Sequence, residues 1–240
     1  MNTIKVPNKG NIKMIAHRGV SGIERENTCP AFVAAGNRTY YGIETDVHVT
    51  KDGKFIIVHD DDLKRVAGLE VVVEESTFDE LRAVRMKDID EMTERGDLFL
   101  PSLEEYFAIC KKYDKQSVLE LKNPMKEEEV WGIAETAKKA GWFSRVTFIS
   151  FEAENLLHLR KNYPDADAQY LTMECTEEEM SFMIANNFDA DLCGYCVTKE
   201  KVDALHKAGL KVNVWTLDTL EHAELAKAFG VDFITTNILE

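Results

Sequence analysis

Residues 168–216 read AQYLTMECTEEEMSFMIANNFDADLCGYCVTKEKVDALHKAGLKVNVWT. Three short apolar runs (Ala168–Thr172, Ala190–Gly194 and Lys211–Thr216) are separated by two amphipathic stretches long enough for helices. The first stretch opens on Thr176-x-x-Glu179, a capping box in which a hydroxyl and a carboxylate each satisfy a backbone donor of the helix start. Gly209 stands directly before the third run, where a helix C-terminal cap belongs. A strand–helix–strand–helix–strand segment builds a parallel sheet, because each return to a parallel neighbour needs a crossover.

The alternation extends both ways. Asn11–Ala16, Gly42–Val47, Ser117–Leu121 and Val146–Ser150 precede this segment and Asp232–Thr235 follows it, which makes eight strands. Capping boxes recur at Thr77-x-x-Glu80, Ser102-x-x-Glu105 and Asp218-x-x-Glu221, and Gly141 repeats the C-terminal cap. Eight such units in 240 residues predict a (β/α)₈ TIM barrel forming one domain over 1–240, with an open doubly wound sheet as the rival of the same class. Because Glu240 comes a few residues after the last run, an eighth helix is expected to be missing. The connection from the second to the third strand, about residues 48–116, is far longer than an ordinary βα loop. Its charged central part, roughly 60–100, carries one helix signal near Phe78–Arg85, so it is read as an insertion over the catalytic face.

Composition narrows the function. A chain that is 45% hydrophobic and 30% charged is an ordinary globular protein, and a net charge of −14 repels nucleic acid and anionic membranes. An anionic small molecule is still admissible, since a bound cation supplies local positive charge. The N-terminus has no signal-like apolar core and no run approaches the roughly 20 apolar residues of a membrane span, so a cytoplasmic location without stable membrane association is expected. Five scattered cysteines do not form a disulfide framework, and Cys193-Gly-Tyr-Cys196 lacks the second ligand pair of a zinc site. These two are expected to be ordinary thiols at a buried strand end.

The polar residues at the strand ends converge. Glu44 and Asp46 are two apart and share one face of the second strand, and Glu120 and Lys122 do the same on the third. Three carboxylates at adjacent strand ends suit Mg²⁺ or Ca²⁺ rather than zinc. Asp52-Gly53 signals a two-residue hairpin turn; counting back from a Lys51–Lys54 pair sets Asp46 opposite His59. His17-Arg18-Gly19 closes the first strand, where side chains face a barrel's active site. The other histidines, His48, His158, His206 and His222, fall on presumed hairpin or helix surfaces.

His17-Arg18-Gly19, Glu26-Asn27-Thr28, Gly42-x-Glu44-x-Asp46-Val47, Thr50-x-Asp52-Gly53, Val58-His59-Asp60, Pro101-x-Leu103-Glu104-Glu105 and Glu120-x-Lys122 occur in order, followed by Val214-Trp215-Thr216 and Gly230-Val231-Asp232-x-Ile234-Thr235. In this order and spacing they resemble the glycerophosphodiester phosphodiesterase family from about residue 13 to 237. The resemblance implies metal-dependent cleavage of glycerophosphodiesters to sn-glycerol 3-phosphate and an alcohol. It implies Glu44, Asp46 and Glu120 as ligands of Mg²⁺, Ca²⁺ or Mn²⁺, and His17 and His59 as the general acid/base pair. Arg18 and Lys122 would contact the phosphate, Asn27 would lie near it, and Trp215 would wall the glycerol side. The long insertion would cover the mouth and sense the glycerol. Similarity to phosphoinositide-cleaving phospholipases C favours His17 as base and His59 as acid. Asn237 stands where many members have Asp, at a position outside the expected catalytic set. The alternatives are a phosphodiesterase for lysophospholipids or other esters, and a barrel that binds a phosphorylated ligand without catalysis. The intact catalytic set speaks against the last.

Overall fold

The computed structural model describes residues 2–90 and 95–240. Eight parallel strands close into a barrel: β1 (Lys13–Ala16), β2 (Gly42–Val49), β4 (Gln116–Leu121), β5 (Val146–Ser150), β6 (Asp167–Thr172), β7 (Asp189–Cys193), β8 (Val212–Trp215) and β9 (Phe233–Thr236). β1 pairs with both β9 and β2, which closes the ring, and β3 (Phe55–Ile57) lies antiparallel to β2 outside it. The expected strands are all found, their ends moved by no more than two residues.

Seven helices cross over between barrel strands: α1 (Cys29–Gly36), α4 (Leu103–Lys112), α5 (Glu127–Lys139), α6 (Ala153–Asn162), α7 (Glu177–Asn186), α8 (Lys199–Lys207) and α9 (Leu220–Phe229). Residues 237–240 carry no helix. None of the described helices is long and apolar enough to cross a membrane. Apolar residues on the outer strand faces, such as Val47, Leu119 and Phe148, form one large core with the helices. A smaller layer of Ile15, Val118, Ile149, Leu171 and Phe233 fills the barrel interior. Tyr106 of α4 is fully buried and donates its hydroxyl to the Ile43 carbonyl at 2.7 Å, pinning that helix to β2.

The capping boxes at Thr77, Ser102 and Thr176 form as expected. The one at Asp218 does not. Thr219 caps α9, and the Asp218 carboxylate instead accepts hydrogen bonds from Thr236 Oγ1 at the end of β9 and from Asn237 N and Nδ2 just beyond it.

Between β2 and α4 the chain makes β3 and two short helices, α2 (Lys64–Ala67) and α3 (Phe78–Arg82), around a separate cluster that includes Ile56, Val58, Leu63, Val66, Leu81 and Leu98. The hairpin register differs from expectation by one residue. Val47 pairs with Ile57, so Asp46 lies opposite Val58, and the Val58 amide donates to the Asp46 carbonyl at 3.1 Å. The loop holds three residues, 51–53, with Gly53 at φ +72° in the left-handed region that a three-residue hairpin requires. Packing decides this register. It buries Val47 and Ile57 in the main core and sends Ile56 and Val58 to the smaller cluster. His59 follows Val58, whose amide is still bonded to β2, and the charge of His59 acts on Asp46 at the barrel mouth.

Candidate active site

Glu44, Asp46 and Glu120 meet at the mouth, with one oxygen from each lying within 4.8 Å of the others. Burial, and then the charge of Asp46, push Glu44 well above the usual carboxylate range and raise Glu120 to about 7. Burial also works against ionised Asp46, yet Arg18, His59, Lys122 and the Asn27 hydrogen bond hold it at about 2. Its Oδ1 is buried with no hydrogen-bond partner. An anionic oxygen cluster with an orphaned buried acceptor fits a hard divalent cation. Among the described residues this is the only such cluster of three or more ligating side chains, and neither Cys193 nor Cys196 belongs to one. Both thiols are free; Cys193 is buried at the end of β7 and Cys196 is half-buried in the loop after it.

Arg18 and Lys122 face the same cluster. The Arg18 amide donates to Glu44 Oε2 at 2.8 Å, its Nε lies 3.6 Å from Asp46 Oδ2, and that Nε is buried without a hydrogen-bond partner. Lys122 Nζ lies 2.8 Å from Glu120 Oε1 and 3.8 Å from Asp46 Oδ1. Asn27 lies in the loop between β1 and α1, beside the carboxylate cluster. Its Nδ2 donates to Asp46 Oδ2 and its Oδ1 accepts from Thr45, both at 2.7 Å, so its buried amide holds the carboxylate in place.

The two histidines are anchored in different ways. His17 Nδ1 lies 2.7 Å from Asn237 Oδ1, while its Nε2 is 3.9 Å from Glu44 Oε2. Asn237 is fixed in turn by Asp218 and also accepts from Ser21 Oγ at 2.6 Å. Burial, and then Arg18, lower the pKa of His17 to about 4. His59 Nδ1 lies 2.7 Å from Asp60 Oδ1. Burial lowers its pKa too, although the charge of Asp46 and the Asp60 hydrogen bond oppose the shift.

His48 is fully buried rather than on the hairpin surface, with Nδ1 3.1 Å from Glu74 Oε1 and Nε2 3.4 Å from the His59 carbonyl. The two-residue period of β2 gives it the same parity as Glu44 and Asp46, so it supports the backbone of His59.

Trp215 ends β8, donates Nε1 to the Asp191 carbonyl at 3.2 Å, and meets Phe151 edge to face at 5.6 Å. His17, Glu44, Glu120, Asp191 and Trp215 line a single cavity. Glu26, Asp60, Arg65, Asp218 and Asn237 also support the site, although no sequence pattern marks them as functional. Glu26 and Asp60 stand inside the motifs quoted above and Asn237 beside one; Arg65 lies in no motif, and Asp218 has only the local pattern of a helix cap.

One imidazole, three clustered carboxylates and two cations at the carboxyl ends of the strands of a closed (β/α)₈ barrel, with a second imidazole brought in by the insertion, form a candidate site where enzymes of the TIM-barrel class carry theirs. The chain belongs to the glycerophosphoryl diester phosphodiesterase family, whose model matches residues 17–240. It is 30% identical over 234 residues to a glycerophosphodiester phosphodiesterase of Bacillus altitudinis, covering 94% of each chain. A glycerophosphodiester phosphodiesterase structure from Parabacteroides distasonis matches with a TM-score of 0.78 and 28% identity, over 95% of this chain and 93% of that one. A phosphodiesterase of Oleispira antarctica, solved in complex with the product sn-glycerol-3-phosphate, shares the fold with a TM-score of 0.87 and 23% identity, over 94% of this chain and 92% of that one.

Proposed function

We propose that this protein hydrolyses glycerophosphodiesters to sn-glycerol 3-phosphate and an alcohol, using His17 and His59 as the proton-transfer pair. The observation that carries the reading is the anchoring of both imidazoles through Nδ1 beside one carboxylate cluster. An amide oxygen and a carboxylate are acceptors only, so each Nδ1 bears the proton and each Nε2 remains for proton exchange.

The surroundings of the two imidazoles support different roles. Burial and the charge of Arg18 favour an uncharged His17 imidazole, which is a base, against the opposing Asn237 hydrogen bond; a carboxylate behind His59 stabilises the imidazolium, which is an acid. His17 Nε2 takes the proton of the nucleophile, either water or the neighbouring glycerol hydroxyl. His59 Nε2 protonates the departing alcohol oxygen. Arg18 and Lys122 draw the phosphate anion into the mouth and stabilise the charge that grows on its oxygens. Trp215 walls the glycerol side. Asn27 acts through Asp46 rather than on the substrate.

Glu44, Asp46 and Glu120 would hold Mg²⁺, Ca²⁺ or Mn²⁺, which would supply Lewis-acid neutralisation of phosphoryl charge. The chain acts as one barrel unit with the described part of the insertion beside the mouth, and its five free cysteines accord with a reducing cytoplasm.

One feature favours a second reading, that esters with a bulkier apolar group such as lysophospholipids are also cleaved. A pocket of about 320 Å³ lined by Met173, Tyr195, Leu217, Leu225 and Phe229 shares Trp215 with the cavity of the site. The test is incubation with glycerophosphocholine, glycerophosphoethanolamine and a short-chain lysophosphatidylcholine, with each metal or EDTA. Release of glycerol 3-phosphate with metal and none in EDTA is expected. If neither glycerol 3-phosphate nor its acylated form is released under any condition, the reading is refuted.

A further inference from the structure

Arg65 lies on the four-residue helix α2, outside the barrel. Its Nη1 and Nη2 donate to Glu26 Oε2 and Oε1 at 2.5 and 2.8 Å, while Nε and Nη2 donate to Asp60 Oδ2 and Oδ1 at 2.7 and 3.1 Å. Each carboxylate holds one further group. Glu26 Oε1 accepts from Arg18 Nη1 at 2.8 Å, and Asp60 Oδ1 lies 2.7 Å from His59 Nδ1.

We propose that Arg65 is a positioning residue, a strut that sets the spacing of His59 and Arg18 across the mouth by holding Asp60 and Glu26 together. The proposal rests on the functional reading above, in which Arg18 meets the phosphate and His59 the leaving oxygen. A guanidinium is planar and presents its donors in a fixed fork, so two carboxylates bound side by side are held in one defined arrangement. Asp60 follows His59 on the hairpin return, whereas Glu26 belongs to the loop between β1 and α1. No other described side chain hydrogen-bonds to both Asp60 and Glu26.

A purely structural role predicts something different. The Arg65 side chain is 45% exposed, and exposed ion pairs contribute little to stability. Removing it should therefore leave the fold nearly unchanged while the two groups it aligns drift apart. Misplacement of a reacting group by about 1 Å costs up to about a hundredfold in rate.

The experiment measures kcat and KM for glycerophosphocholine with native protein, Arg65→Ala, Arg65→Lys, Glu26→Gln, Asp60→Asn and the corresponding double variants, with a thermal melt of each. For Arg65→Ala we expect kcat to fall about 10- to 100-fold, KM to change less, and Tm to move by no more than about 2 °C. Arg65→Lys should recover little, because an ammonium cannot hold two carboxylates in one plane. Guanidinium ion at millimolar concentration should partly restore Arg65→Ala, and ammonium should not. In the Asp60→Asn and Glu26→Gln backgrounds, Arg65→Ala should cost much less than it does alone.

Unchanged kcat in Arg65→Ala, or full activity in Arg65→Lys, overturns the strut while the functional reading stands. So does a loss of kcat that adds undiminished to those of Asp60→Asn and Glu26→Gln. If Arg65→Ala does not fold, its role is structural and the proposal is overturned; if native protein does not turn over, both readings fall together.

Discussion

Replacing Glu44 by glutamine separates the electrostatics of the carboxylate cluster from its shape. The Glu44 side chain is almost fully buried, and the amide oxygen of glutamine can still accept the Arg18 N–H that Glu44 Oε2 receives at 2.8 Å. Two ionised carboxylates at the 4.8 Å scale of this cluster repel by roughly 3–4 kcal/mol at an effective dielectric of about 20. Arg18 and Lys122 offset part of this, and protonation of the raised Glu44 relieves more. A net gain of about 1–2 kcal/mol for the metal-free variant follows, which for a chain of this size raises Tm by about 2–8 °C.

Bound metal reverses the order. At a hundred times its Kd a cation stabilises native protein by about 2.7 kcal/mol, or roughly 5–11 °C, and Glu44→Gln should lose most of that response together with turnover. The assay is a thermal melt of both proteins in EDTA and across a titration of Mg²⁺, Ca²⁺ and Mn²⁺. A native Tm that ignores all three metals, or a variant that responds as native does, refutes the assignment of these residues to a metal.

Three further outcomes are expected. His17→Ala and His59→Ala should each lower kcat by at least about 100-fold with the circular dichroism spectrum unchanged, since general acid–base catalysis contributes about 10²–10⁴-fold; full activity of either rejects that histidine. Asp218→Ala frees Asn237 from two hydrogen bonds and Thr236 from one, and so loosens the anchor of His17. Its kcat should fall about tenfold with a smaller change in KM, and a native kcat would show that Asp218 does not reach His17. Asp191 is buried on β7 and its carboxyl is pushed up to about 8 by burial, against roughly 3.9 when unfolded. Folded protein therefore keeps a proton that the unfolded chain releases, so this contribution is full below about pH 4 and is lost progressively up to pH 8. Asp191→Asn should match native stability at pH 4 and exceed it increasingly towards pH 8 in denaturant melts; parallel curves would contradict the shift.

The barrel and the centre of the site were legible in the sequence. Strand and helix periods are local properties, and so are capping boxes and glycine caps; these gave eight strands and their order. Glu44, Asp46, Glu120 and Lys122 could be grouped because a period of two puts them on one face of neighbouring parallel strands, a relation the β2–β4 register preserves by pairing Asp46 with Glu120.

What escaped depended on contacts between distant segments. A hairpin turn read from Asp-Gly alone is ambiguous between two and three residues, and the matching of Val47 with Ile57 against the core chose three. Asp218 has the same local pattern as a true N-cap; only the arrival of Asn237, 19 positions later, makes it an acceptor for another strand end. Arg65 is an ordinary surface arginine until the insertion folds it against Glu26, 39 positions away. The sequence by itself determined the architecture and the chemical groups at the mouth, because both follow from short-range periodicity. Only the tertiary structure decided how His17 is held and what braces Asp60 behind His59: Asn237 arrives from the segment after β9 and Arg65 from the insertion, and no local pattern encodes hydrogen bonds between segments so far apart.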